Sequence, residues 1–212
     1  MIKNYLLIFV LAAIAACGPD EMTEDPVEET VVEEVEPTHS CDSLGTGNSP
    51  GDQIADAIFV NCYGDRVSIQ ASCGEKKLTV LGIGALWCGA CKGYFRGLTY
   101  DFAISGGENA NWDYYIIEGQ DSSRSPDISS EECMAYAAEI EADPARVLLD
   151  PNWNRTFGGL INACPTNGSF SLPFMAILDA DDFTYEYSRS CGGAEDDRTN
   201  WREAFLGELN EE

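Results

Sequence analysis

The sequence predicts an α/β domain, and two observations predict it. Leu78-Thr79-Val80-Leu81-Gly82-Ile83-Gly84-Ala85 is an unbroken apolar run of strand length. It leads through Leu86-Trp87 into a segment whose apolar residues recur at helical spacing. From there to the end of the chain, strand-like runs alternate with helix signals.

Taken in order, Cys41 to Pro50 is rich in Gly and Ser and reads as an entry loop. Ala57-Ile58-Phe59-Val60-Asn61-Cys62 and Val67-Ser68-Ile69-Gln70 flank Tyr63-Gly64-Asp65-Arg66, which predicts a hairpin. The 78–85 run is that of a central strand buried on both faces, its two glycines allowing neighbours close. Cys91, Tyr94, Phe95, Leu98 and Phe102 then form one apolar helix face, ending before Gly106-Gly107. Trp112-Asp113-Tyr114-Tyr115-Ile116-Ile117 predicts a second strand, its aromatics read as core and strand-face residues. Ser129 with Glu132 forms a capping box opening a helix that runs to about Glu141 and stops near Pro144. Arg146 to Leu149 predicts a short strand and Trp153 to Ile161 a further helix. Asp150-Pro151-Asn152-Trp153-Asn154 has a trace of a Ca²⁺ loop, but the sixth position is Arg155 where such a loop needs Gly, so it reads as a turn and helix start. Pro173 to Leu178 reads as a strand, turned by Asp179 to Asp182 into an antiparallel neighbour, Phe183 to Tyr187. A last helix places Trp201, Phe205, Leu206 and Leu209 on one side. There is no internal repeat and no second domain.

The 212 residues carry 37 acids against 12 Lys and Arg, a formal charge of -25 that leaves no basic patch to neutralise phosphates and excludes nucleic acid as a partner. Nine cysteines suit an oxidising compartment better than the cytosol. The start agrees. Met1-Ile2-Lys3-Asn4 is a short positive segment, Tyr5 to Ala13 an apolar core too short to span a bilayer, and Ile14-Ala15-Ala16-Cys17 ends in small residues running into a cysteine. This resembles a bacterial lipoprotein signal over residues 1–16, cleaved before an acylated Cys17; the plainer reading is a secretory peptide with an incidental cysteine. Acylation would anchor the protein to a bilayer in the cell envelope, facing the periplasm or the exterior. Gly18 stands where an Asp holds some lipoproteins at the inner membrane, so the outer membrane is favoured. Residues 17–40 form a tether with nine acids, no Lys or Arg, and prolines at 19, 26 and 37, a composition that repels itself and cannot build a core. It reads as a solvated spacer rather than an acidic docking strip. His39, the single histidine, closes the tether, so residues 41–212, the folded domain, have no imidazole for catalysis or metal binding.

The chemistry lies in Trp87-Cys88-Gly89-Ala90-Cys91-Lys92, at the junction of strand and helix. A thiol at a helix N-terminus meets unpaired N–H groups and the positive end of the macrodipole, which favour the thiolate. A second thiol one turn on can attack the mixed disulfide formed by the first and release the partner. Cys88 is therefore the candidate nucleophile and Cys91 the resolving thiol.

The order strand, Trp-Cys-x-x-Cys-Lys, helix, strand, then Leu172-Pro173 opening a β-hairpin before a closing helix resembles the thioredoxin family. The lipoprotein start, the N-terminal hairpin and the extra helix and strand after Ile117 most resemble its membrane-tethered TlpA-type branch. The resemblance spans Gly51 to Leu209. It implies a thioredoxin-like fold: a central mixed β-sheet flanked by helices, with an N-terminal β-hairpin and an inserted helix–strand. It implies a protein disulfide oxidoreductase working as a reductase outside the cytoplasm, in tasks such as cytochrome c maturation. Its partners would be disulfide-containing or thiol proteins, with a membrane electron donor, and it needs no cofactor. Trp87 would flank the site, Pro173 would be cis, and the Leu172 backbone would pair with an extended substrate chain. Two departures stand out. The dipeptide is Gly89-Ala90 where thioredoxins carry Gly-Pro. The family's proton acceptor for the resolving thiol is also missing, because the two positions that supply it are Gly82 and Tyr94 here.

Other readings compete. A Cys-x-x-Cys ring is a poor structural staple and a good redox switch. A zinc site needs a second close ligand pair, which the other cysteines do not provide, and the copper-chaperone relatives of the fold need a His. Peroxiredoxins place a Thr where Ala85 stands. Two alternatives stay open: a tethered binding module that keeps the fold without the chemistry and, less favoured because of Ala85, a peroxiredoxin-like peroxidase, which hydrogen-peroxide consumption would reveal. The other cysteines of the domain allow fifteen pairings; Cys62–Cys73 and Cys164–Cys191 each bound a compact section of chain, which leaves Cys41 with Cys133.

Overall fold

The computed structural model describes residues 41, 44–157, 159–160, 171–188 and 197–210, with side chains in the last helix from 203 onward. The chain divides into two units, Met1–Glu36 and Pro37–Glu212, and every described residue belongs to the second. The expected signal segment (1–16), Cys17, the expected tether (17–40) with His39, Cys164, Cys191 and the Trp201 side chain lie outside the described residues.

Seven strands form one mixed sheet: β1 (Ile58–Asn61), β2 (Arg66–Ser68), β3 (Leu78–Gly84), β4 (Trp112–Glu118), β5 (Val147–Leu149), β6 (Phe174–Asp179) and β7 (Tyr185–Ser188), in the order β2-β1-β5-β4-β3-β6-β7. β3, β4 and β5 run parallel; β6, β7 and the β1–β2 hairpin run antiparallel to their neighbours. Three α-helices lie among the described residues: α1 (Gly89–Ile104), α2 (Ser130–Glu139) and α3 (Asp197–Asn210).

β3 is buried at every position, as its unbroken apolar sequence requires of a strand with neighbours on both edges. Its glycines have a steric cause. A Cβ on Gly82 or Gly84 would stand 2.6 Å from the Phe95 ring, so their absence lets α1 lie close on the sheet. Phe102 of α1 meets Trp112 and Tyr114 edge-on at 5.2 and 5.0 Å, and Phe205 of α3 meets Trp112 at 4.8 Å. These rings close the core at the far end of α1. Arg146, held by Asp113 and Glu108, covers Phe102 and Tyr114 there. The expected capping box of α2 is present in full, Ser129 and Glu132 each accepting from the other's backbone N–H.

Three expectations are corrected. No helix starts at Trp153: a 3₁₀ turn (Pro151–Trp153) is followed by further turns. Asn152 and Trp153 take left-handed φ values of 54° and 53°, which a right-handed helix does not accept, and the buried Asp150 carboxylate holds the turn by accepting from the N–H groups of Arg155 and Thr156 and from the Thr156 hydroxyl at 2.6 Å. In α3, Phe205 is buried but Leu206 is exposed, since adjacent helical positions point about 100° apart. The disulfides pair Cys41 with Cys73 and Cys62 with Cys133, at Cα separations of 6.2 and 5.3 Å, not Cys62 with Cys73 or Cys41 with Cys133. The cause is the sheet edge. β1 pairs with β5, which carries Cys62 to the start of α2, where Ser130 donates to the Cys62 carbonyl. Cys41 and Cys73 instead meet beside the Asp181 carbonyl at the β6–β7 turn.

Candidate active site

The site begins where β3 ends. Ala85 accepts from the Cys88 N–H at 2.9 Å, tightening the chain into a turn that makes Cys88 the N-cap of α1. The Cys88 sulfur takes the place of a capping oxygen and accepts from the Cys91 N–H at 3.1 Å. A thiolate here, once the bond to Cys91 is reduced, keeps that donor and the positive end of a sixteen-residue helix. Cys88 and Cys91 are joined in a disulfide with Cα atoms 5.2 Å apart. Cys91 is fully buried, whereas Cys88, 5 % exposed, opens on a groove of about 260 Å³ lined with Trp87, Gln120, Trp153 and Leu172. The two sulfurs thus differ in access, since Cys88 borders the groove and Cys91 does not.

Trp87 and Leu172, both expected at the site, flank this groove, and the Leu172–Pro173 peptide is cis. Sequence reasoning missed Gln120, Trp153 and Arg124. The Trp87 indole N–H donates to the Gln120 side chain at 3.0 Å, and the Arg124 guanidinium lies 4.5 Å over the Trp87 ring, which places a cation on the aromatic wall of the groove. Trp153 donates its indole N–H to the Gly84 carbonyl at 2.9 Å. That contact requires Gly119, whose absent Cβ would stand 2.2 Å from the indole. Gly119→Ala is expected to push Trp153 out of the groove wall and cost about 1–3 kcal/mol. Thermal denaturation with tryptophan fluorescence measures both effects; an unchanged melt would mean the indole shifts without cost. None of these residues sits at a motif position, so the sequence carried no signal for them.

Glu118 was missed too, although it is the acid that ends the run Tyr114-Tyr115-Ile116-Ile117. It is fully buried, and among the described residues neither carboxylate oxygen has a hydrogen-bond partner. The Tyr136 hydroxyl, which faces it from α2, is also without one. Each such group costs on the order of 1–3 kcal/mol. Burial pushes the Glu118 pKa up to about 8, with Tyr136 and Lys92 offsetting part of the rise.

A wider recess of about 510 Å³ lies beside Cys41 and Cys73, but both sulfurs there are paired. Among the described residues no cluster of His, Cys, Asp and Glu could hold a metal ion.

Against solved structures, the chain superposes with a TM-score of 0.58 on a protein described as a disulfide isomerase from Bacteroides thetaiotaomicron, at 17 % identity, covering 80 % of this chain and 95 % of that one. A Chlorobium tepidum protein described as the thiol:disulfide interchange protein DsbE gives 0.56 at 17 % identity, covering 77 % and 100 %. The thioredoxin domain of a Bacteroides vulgatus thiol-disulfide oxidoreductase gives 0.51 at 15 % identity, covering 76 % and 99 %. The fold is thioredoxin-like. No protein-family model and no curated protein matches the chain. On the thioredoxin-like scaffold, the Cys88–Cys91 pair lies at the carboxyl end of a parallel strand, where open α/β sheets form their crevices.

Proposed function

We propose that the protein is a thiol–disulfide oxidoreductase acting on proteins outside the cytoplasm, with Cys88 as nucleophile and Cys91 as resolving thiol. The carrying observation is the division of the pair, Cys88 at the helix N-cap facing the groove and Cys91 buried behind it. In the reducing direction the Cys88 thiolate attacks a substrate disulfide, and one substrate sulfur leaves as thiolate. Cys91 then attacks Cys88 in the mixed disulfide and the second substrate sulfur leaves, so two electrons pass to the substrate and Cys88–Cys91 is oxidised. Trp87 and Leu172 would hold the extended substrate chain, the Leu172 backbone pairing with it beside Pro173.

The same reading takes residues 1–16 as a lipoprotein signal and Cys17 as the acylated anchor. The acidic tether then lets the domain reach partners in the envelope, outer membrane favoured, and a membrane donor restores the dithiol. A reductase, not an oxidase, fits the tethered branch that the sequence resembles.

The test is reduction of insulin by dithiothreitol with the full chain and with Cys88→Ser. Acceleration by the native protein and at least a hundredfold smaller acceleration by the variant are expected. Equal rates would leave a thioredoxin-fold binding module.

A further inference from the structure

Resolution by Cys91 needs a base. Its sulfur is fully buried and attacks as thiolate, so its proton must pass to a group inside the protein. We propose, resting on the exchange reaction above, that Glu118 is the proton acceptor for Cys91, connected to solvent through Tyr136 and Lys92.

The placement follows from register. Side chains of a strand alternate, so Trp112, Tyr114, Ile116 and Glu118 share the face of β4 that α1 covers. Phe102, near the end of α1, lies on Trp112 and Tyr114. Phe95, two turns earlier, lies on Gly82 and Gly84, the register partners of Ile116 and Glu118. α1 therefore runs back along β4, and its next buried residue toward the N-terminus, Cys91, comes over the Glu118 end. The missing Cβ of Gly84 confirms the fit from the other side, as it would stand 2.9 Å from Glu118 Oε1 and 2.6 Å from Phe95.

The groups facing Glu118 complete a route outward. Tyr136 of α2 faces the carboxyl, and burial first, then the Glu118 charge, raises its pKa far enough to keep it a phenol. Lys92 of α1 lies 5.9 Å from the centre of the Tyr136 ring and pairs with half-exposed Glu139 at 2.8 Å. The carboxyl is also suited to the task. At an ordinary value it would hold a proton roughly 10⁴-fold less well than a thiol; at about 8 the two differ by less than about tenfold. The steps balance: Cys91–SH gives its proton to Glu118–COO⁻, the new thiolate attacks Cys88 of the mixed disulfide, and the partner sulfur leaves with the electron pair. When a donor reduces Cys88–Cys91, Glu118–COOH returns the proton to the Cys91 thiolate.

The experiment mixes the reduced full chain with dithiobis(nitrobenzoate), which releases one thiolate on attack by Cys88 and a second on resolution by Cys91. The second phase is identified by its absence in Cys91→Ser. In Glu118→Gln the first phase is expected within twofold of native, while the second falls at least tenfold at pH 7 and climbs steadily to meet the native rate at high pH. Tyr136→Phe, which keeps the ring, is expected to move the native midpoint of the second phase. As a check on folding, the melting temperature of Glu118→Gln should exceed the native value by a margin that grows from pH 5 to pH 8, since the native carboxyl loses stability as pH rises through that window. A second phase unchanged in both variants at every pH overturns the proposal. The reagent needs no physiological partner, so failure to reduce insulin with the second phase still dependent on Glu118 would sink the proposed function and leave this assignment standing.

Discussion

If the proposed exchange reaction holds, Cys91→Ser is expected to turn the protein into a covalent trap. Cys88 keeps the N-cap position, the groove and the backbone N–H of residue 91, so attack on a protein disulfide should proceed near the native rate. Release should not. The native resolving sulfur belongs to the next helical turn, with its Cα 5.2 Å from that of Cys88, and well-oriented intramolecular partners act at effective concentrations of about 10⁵ M or more. An external thiol at about 10⁻³ M cannot replace that, and insulin reduction is expected to fall at least about 10³-fold. Non-reducing electrophoresis should show an adduct that dithiothreitol dissolves, and its protein component names the substrate. A variant that turns over within tenfold of native, with no adduct, would mean that Cys91 does not resolve.

Loss of the Cys62–Cys133 bridge is the second large effect. The bond closes a 71-residue separation, joining the end of β1 to the first turns of α2, and both sulfurs are buried. Chain-entropy reasoning gives about 4 kcal/mol for a loop of that length. For a domain of this size that is roughly a 10 °C drop in melting temperature. Cys62→Ser with Cys133→Ser should show it by calorimetry. The consequence reaches the site, because Tyr136 stands one turn beyond Cys133 on the same buried face of α2. Hydrogen exchange at the start of α2 should rise with the drop in stability. A double variant that melts like the native protein would show that the β1–β5 pairing and the capping box already hold α2 in place.

Much of the fold could be read because local signals agreed with one another. The 78–85 run had no polar face to show to water, so burial on both sides followed. Ser129 and Glu132 carried the start of α2 in four residues. Where the reading failed, a nonlocal partner had decided. Asp150 reached forward to Arg155 and Thr156 and turned the chain where a helix was expected. The cysteine bridges followed strand pairing, not distance along the chain.

The sequence by itself determined the Cys88-x-x-Cys91 pair and its seat at a strand-to-helix junction, because that pair is built from residues three positions apart. Only the tertiary structure decided which carboxyl is buried against Gly84 and which aromatic walls the groove. Glu118 and Trp153 stand 27 and 62 positions from Cys91 in the chain, and only the register of β4 on β3 and the turn after β5 carry them to Gly84, where Glu118 loses its water and Trp153 finds its hydrogen bond.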